Sequence, residues 1–333
     1  MEVWIPNRKD RLTKILLGSV PAPSTLAKKL KRPVPKVIQK VLEETEEDLF
    51  EIKKTYESLG VEVLKFPVDA IDETISVRNG FIVVDDHMYV TEKLDSLAEF
   101  YTSINKKTFV NHSDMEEDDR SSSNFHNSAG YCPNIFVNDE YAILDGLDHG
   151  AYKYWRGILK NKRKIITAFN EGHSDGIYCN VADKIWLTNG NALNFKKYWP
   201  TIPTMELSTS NSGEVNHWKP VEDHFEKLFL HEKRELEKTN GRYMVHKHEL
   251  EYDDMNFIDD YLANWVGYCE ETLFDINMSV IDQNNVIAIS QNSLVYDKLE
   301  SLEIKVHKVP FRHRFFWDGG LHCITNDLVR KKN

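Results

Sequence analysis

Residues 81–91, FIVVDDHMYVT, run apolar, break at two aspartates and run apolar again with alternation. The same shape recurs as IFVNDEYAILD (135–145), GIYCNVADKIWLT (176–188) and SVIDQNNVIAIS (279–290). A period of two on either side of an Asp, Asn or Glu turn predicts a β-hairpin each time. The segments after the hairpins are alike as well. KLDSLAEFYTSI, AYKYWRGILKNK, ALNFKKYWPTI and SLVYDKLESL place apolar residues at helical spacing. Each leads into a short strand-like run: KTFVN, KIITAF, TMELS and EIKVHKV. The unit is strand, strand, helix, strand. A fifth copy assembles from the two ends of the chain. TKILLGSV (13–20) supplies a strand, EEDLFEIKKTYESLG (46–60) an amphipathic helix, VEVLKFP a further strand, and the final LHCITNDLV the closing one.

Five such units predict an α/β chain closed into a pseudo-fivefold propeller, because a repeat of this size buries its apolar face only against its neighbours. An ordinary mixed α/β sheet is the alternative that spacing leaves open. The whole chain, 1–333, reads as a single domain of this kind, with two interruptions. SDMEEDDRSSSNFHNS (113–128) is acidic and Ser-rich and reads as a mobile loop. Residues from about 209 to 262 hold long, charged, helical text, including VEDHFEKLFLHEKRELEK, and read as an inserted lid or oligomer contact.

Composition narrows the function classes. Hydrophobic residues make up 41 % and charged residues 29 %, the balance of a soluble globular protein. No apolar run approaches the roughly 18 residues that span a bilayer. MEVWIPNRKDRL has no apolar signal core, so a cytoplasmic location is expected. The net charge of -11 argues against a nucleic-acid partner. The one basic stretch, KKLKR (28–32), lies among Pro21, Pro23, Pro33 and Pro35 and reads as a solvated loop. Cys132, Cys179, Cys269 and Cys323 are scattered without a CxxC pair and are expected to be free thiols. His246 and His248 have the spacing of a metal pair, but nothing nearby fixes a coordination geometry, so no metal or other cofactor is expected.

Two short motifs carry chemistry. In WDGGLHCITNDLVR (317–330), Gly319 and Gly320 let the backbone turn tightly ahead of Cys323. A thiol there is either a small core residue or a nucleophile exposed at a strand start. In NEGHSDGIY (170–178), His173 and Asp175 stand two apart, which in extended backbone puts both on one face. The imidazole then moves protons near neutral pH and the carboxylate binds a cation such as a guanidinium. The alternative is a polar strand entrance. No phosphate loop or Ser-centred elbow is present.

These motifs resemble those of the pentein superfamily, the guanidine-modifying enzymes. GGLHCITNDLVR resembles the superfamily's nucleophile motif, GHSDGIY its His-x-Asp motif, and SVRNGFIVVDDHMYVT (76–91) its first hairpin. The best overall match is the glycine amidinotransferase branch, over nearly the whole chain apart from about 209–262. The resemblance implies the fivefold α/β propeller and, in related enzymes, frequent dimers. It also implies a mechanism: Cys323 attacks the guanidino carbon of an arginine-like donor, His173 protonates the departing amine, and Asp175 holds the guanidinium. An acceptor amine then takes the amidino group. In the hydrolytic branches, deiminases and dihydrolases, water does this instead. Three positions depart from the pattern. The usual Arg-Asp is Arg78-Asn79, Tyr131 stands where an acid orients the histidine, and Asn134 replaces a second acid. Loss of carboxylates weakens a charged pair to a neutral hydrogen bond, roughly half as strong. These departures leave open, beside an arginine-using enzyme, a donor other than plain arginine or a guanidino-compound binder with an altered site.

Overall fold

The computed structural model describes residues 3–67, 75–90, 98–110 except 106, 132–170 except 148, 173–207 except 191, and 273–332 except 290 and 291, with a few positions between 223 and 261. In chain order the chain forms β1 (Arg11–Leu17), α1 (Pro23–Leu30), α2 (Lys36–Ser58), β2 (Glu62–Lys65), β3 (Phe81–Val84), β4 (His87–Val90), α3 (Ala98–Ile104) and β5 (Thr108–Val110). Next come β6 (Ile135–Val137), β7 (Tyr141–Asp145), α4 (His149–Leu159), β8 (Lys164–Ala168), β9 (Tyr178–Val181), β10 (Ile185–Thr188), α5 (Phe195–Tyr198) and β11 (Thr204–Glu206). The rest are β12 (Leu236–Thr239), β13 (Arg242–Val245), β14 (Ser279–Asp282), β15 (Asn285–Ala288), α6 (Ser293–Glu300), β16 (Lys305–Lys308) and β17 (Thr325–Lys331).

Five three-stranded sheets share one topology. In each, a hairpin pairs antiparallel and the strand after the helix runs parallel to the hairpin's second strand. The orders are β3-β4-β5, β6-β7-β8, β9-β10-β11, β14-β15-β16 and β17-β1-β2. The last sheet joins the two ends of the chain, with Leu17 opposite Thr325, Arg11 opposite Lys331, and β2 parallel to β1. All five strand-strand-helix-strand units read from hydropathy are therefore present. The hairpins form where expected because alternation fixes which face is buried, and the Asp and Asn turns tolerate tight backbone. Asp85, between β3 and β4, takes a left-handed conformation at φ 54°.

Three local readings are corrected. The KKLKR stretch is not all loop: α1 runs through Leu30, because Pro23 suits a helix's first turn and Lys31 ends it left-handed at φ 54°. α5 is a single turn, started by the Asn194 side chain accepting from Lys197 N and followed closely by Pro200. Part of the charged insertion, read as helical, forms the hairpin β12–β13. Asn240-Gly241 between these strands is a strong two-residue hairpin signal that the helical periodicity masked. The acidic stretch 113–128, His246 and His248 lie outside the described residues. Among the described residues no helix is long and apolar enough to cross a membrane, and no His/Cys/Asp/Glu group fits a metal ion.

One packing contact matters for the site. The apolar stripe of α2, with Ile38, Val41, Leu49 and Ile52 buried, packs on β1 and on Phe311, Phe315 and Trp317. Each such side chain contributes roughly 1.5–3 kcal/mol by burial. Polar contacts then fix the register of the 311–317 segment along the helix. Asp48 accepts from Arg312 N at 2.6 Å and Arg312 Nε at 2.9 Å, and Trp317 Nε1 donates to Thr45 Oγ1 at 2.9 Å. The segment leading to Cys323 is thereby anchored to the longest helix described.

Candidate active site

Cys323 lies just before β17, on a turn built around one side chain from another unit. Asn277, fully buried, precedes β14. Its Oδ1 accepts from His322 N at 2.7 Å and Cys323 N at 3.2 Å. Two N–H donors on the oxygen fix the amide's orientation, which leaves Nδ2 to donate to Cys323 Sγ at 2.9 Å. The Asn277 carbonyl also accepts from Leu321 N at 3.1 Å. Gly320 is what admits this side chain: a Cβ there would stand 2.5–2.6 Å from Asn277 Cβ, Cγ and Oδ1. The thiol is buried, at 4 % exposure.

Asp175 meets this turn from the third unit. Its Oδ2 accepts from His322 Nδ1 at 2.8 Å and lies 3.5 Å from Cys323 Sγ. Its Oδ1 is buried with no hydrogen-bond partner. Burial pushes the Asp175 carboxyl up, but the hydrogen bond from His322 and the neighbouring positive charge, Arg78 included, hold it below its ordinary value. Burial, and then Arg78, push His322 down to about 4 against the opposing pull of Asp175, so its imidazole is neutral at pH 7. Arg78 is tied to the same turn. Its N–H donates to the Cys323 carbonyl at 3.1 Å and its Nε to the His322 carbonyl at 3.3 Å.

The His-x-Asp pair is arranged otherwise than extended backbone predicts. His173 is extended (φ -80°, ψ 127°), but Ser174–Gly176 form a 3-10 turn, closed by Gly176 N on the His173 carbonyl at 3.1 Å. The turn sends Asp175 inward to the thiol, while His173 stays half-buried at the entrance, close enough for its charge to act on Asp175. A second carboxylate anchors this loop. Asp145, 1 % exposed at the end of β7, accepts from Asn170 N at 2.8 Å, Asn170 Nδ2 at 2.7 Å and Ser174 Oγ at 2.9 Å. Asn134 Oδ1 accepts from Ser174 N at 3.3 Å, so this residue supports the histidine loop's backbone. Asn79 is buried beside Arg78, with its N–H on the Ser76 carbonyl at 3.1 Å. Tyr131 lies outside the described residues.

The structure thus brings Cys323, Asp175 and Arg78 together, with His173 on the adjoining loop and Asn134 supporting that loop from the turn before β6. Asn277, His322 and Asp145 were missed as site residues. For two of them the available signal was a polar residue beside a buried hairpin strand: Asn277 stands two residues ahead of β14 in DINMSVID and Asp145 closes β7 in YAILD. The arrangement holds a thiol between an amide donor and a carboxylate, with one carboxylate oxygen unused. That geometry suits a planar cation docked against Asp175 with its central carbon near the sulfur.

No family model matches the sequence, and no curated protein is similar to it at the level of sequence. Solved structures are similar in fold. An amidinotransferase of the saxitoxin biosynthetic pathway from Microseira wollei is 14 % identical, with a TM-score of 0.62 over 99 % of this chain and 98 % of its own. Inosamine-phosphate amidinotransferase from Streptomyces griseus is 14 % identical, with a TM-score of 0.64 over 99 % of this chain and 97 % of its own. A dimethylarginine dimethylaminohydrolase from Pseudomonas aeruginosa is 11 % identical, with a TM-score of 0.53 over 96 % of this chain and all of its own. With near-complete coverage of both chains, this chain shares the fold of these enzymes, that of the pentein superfamily, and is similar in fold to its amidinotransferases.

Proposed function

We propose that the chain is an amidinotransferase-like enzyme that moves an amidino group from arginine or a related guanidino donor to an amine. One observation carries the reading: Cys323 Sγ lies 3.5 Å from Asp175, whose second oxygen is buried and unpartnered. In this reading the five units close about one axis as a single catalytic domain. Residues of all five lining one cavity, among them Arg78, Cys132, Tyr178, Met278 and Asp327, support that closure.

The donor's guanidinium docks on Asp175 Oδ1. Cys323 Sγ attacks its central carbon, a C–S bond forms, and the C–N bond to the donor's amine breaks. His173 protonates the leaving amine. Asn277 Nδ2 faces the negative charge on sulfur, and a cation docked beside Asp175 favours the thiolate further. The amidino group then rests on Cys323. An acceptor amine attacks the same carbon, gives its proton to His173, and the C–S bond breaks. No cofactor enters this sequence. Neutral groups at Asn79 and Asn134 leave Asp175 as the carboxylate that grips the donor, which suits a donor with contacts elsewhere.

Product analysis tests the reading. Arginine with an amine such as glycine is expected to yield ornithine and a new guanidino compound, and Cys323→Ala is expected to abolish this. Activity surviving in Cys323→Ala refutes it. Citrulline with ammonia, or ornithine with ammonia and carbon dioxide, assigns the chain to hydrolysis, a reading that the dimethylaminohydrolase and arginine dihydrolase likenesses keep open.

A further inference from the structure

Behind Asp175 and His322 lies a cavity of about 60 Å³ that Cys323 does not line. Three guanidinium groups face it, those of Arg8, Arg78 and Arg330, against the carboxylates of Asp327 and Asp175. Asp327 is their common partner. Arg330 reaches it at 2.9 Å, Arg8 at 3.6 Å and Arg78 at 4.0 Å. Arg330 is otherwise satisfied, with Nη1 on the Asp10 carbonyl at 2.7 Å and Nη2 on the Val280 carbonyl at 2.6 Å. The other two are not: Arg8 Nε and Arg78 Nη2 are buried without a hydrogen-bond partner, and Arg78 is only 2 % exposed.

Tyr178, Cys179 and His322, which also line the cavity, supply no negative charge at neutral pH. Burial pushes the Cys179 thiol up to about 12 and the Tyr178 hydroxyl well above its ordinary value, and His322 is neutral. Three cations, Arg78 and Arg330 buried and Arg8 half-buried, therefore face two carboxylates. An uncompensated buried charge is costly, and a guanidinium N–H pointing into a cavity seeks an acceptor. Ile276, Met278 and Phe136 make up apolar wall, and the volume is too small for a guanidino substrate. It is ample for one small ion, since a single water needs about 10–15 Å³ on a comparable measure.

We infer that this cavity is a binding site for a small monovalent anion of the halide class, held by the N–H groups of Arg8 and Arg78 that Asp327 leaves unused. The anion balances the charge behind Asp175 and His322. It is distinct from the donor and acceptor of the proposed reaction.

The test uses the full chain. Thermal unfolding is followed while chloride replaces gluconate at fixed ionic strength. The expected result is a saturable rise in Tm, on the order of 2–4 °C, reproduced by bromide. Arg8→Gln, which leaves two cations against two carboxylates, is expected to abolish the dependence. A Tm indifferent to chloride at fixed ionic strength overturns the inference. Crystals of the unaltered chain grown in bromide decide the matter even if Arg8→Gln fails to fold. An anomalous peak within hydrogen-bonding reach of Arg8 Nε and Arg78 Nη2 supports the site, and water alone in the cavity overturns it.

Discussion

Asn277 is the side chain on which the cysteine turn rests, so its removal has a calculable cost. In Asn277→Ala, Cys323 N loses its acceptor at 3.2 Å, while His322 N keeps the residue-277 carbonyl at 3.4 Å. One buried donor left unsatisfied costs about 1–3 kcal/mol. The lost side-chain volume in a fully packed site adds about 1 kcal/mol, so the variant loses about 2–4 kcal/mol. Asn277→Asp keeps the acceptor but replaces the donor to Sγ, at 2.9 Å, by a carboxylate. A hydrogen bond to a charged group is worth about 1.5–3 kcal/mol, so thiolate chemistry at Cys323 slows at least about tenfold. Urea unfolding followed by tryptophan fluorescence reads the first effect. Peptide mapping of Cys323 alkylation by iodoacetamide reads the second. If Asn277→Ala unfolds within about 0.5 kcal/mol of the unaltered chain and neither variant changes the alkylation rate, the account of the turn is wrong.

Three further outcomes are expected. Gly320→Ala forces a Cβ to 2.5 Å from Asn277 Cβ, which cannot swing away, and should cost about 1–3 kcal/mol by overpacking with loss of product formation; an unchanged urea midpoint would contradict this. Asp145→Asn weakens the three bonds that hold the Asn170–Ser174 loop, and should lower kcat with KM little changed, because the loop carries His173 and Asp175 keeps the donor; a rise in KM alone would place Asp145 at the donor instead. His322 stays neutral in the fold down to about 4, whereas the unfolded chain protonates it near 6.5, so its contribution is lost as pH falls between those values. Allowing for the 24 % of the side chain that solvent reaches, His322→Gln should flatten the fall in stability between pH 7 and pH 4.5 by about 2 kcal/mol, as read by unfolding at each pH.

Much of the architecture was legible because it is local. Alternation over FIVV or YAILD and a polar turn fix a hairpin without reference to the rest of the chain, and five such patterns reveal the repeat. The pairing of β1 with β17 was also readable, since each end supplies one unpaired strand. The errors arose where a local signal had two readings. Clustered prolines around KKLKR suggested loop, yet Pro23 starts α1. His173 and Asp175 suggested one extended face, yet a 3-10 turn separates them. The cysteine motif was visible, but its environment was not: Asp175 is 148 residues from Cys323 and Asn277 is 46. Single polar residues such as Asn277, Asp145 and His322 acquire meaning only when the fold brings distant units together, and no periodicity marks them.

In the proposed reaction Cys323 takes up an amidino group. Intact-protein mass spectrometry after mixing the chain with arginine, followed by peptide mapping, addresses it directly. A single added amidino mass on Cys323 is expected, absent from Cys323→Ala and discharged by glycine or another amine. Arginine consumed with Cys323 unmodified throughout, or an adduct on another residue, would contradict it.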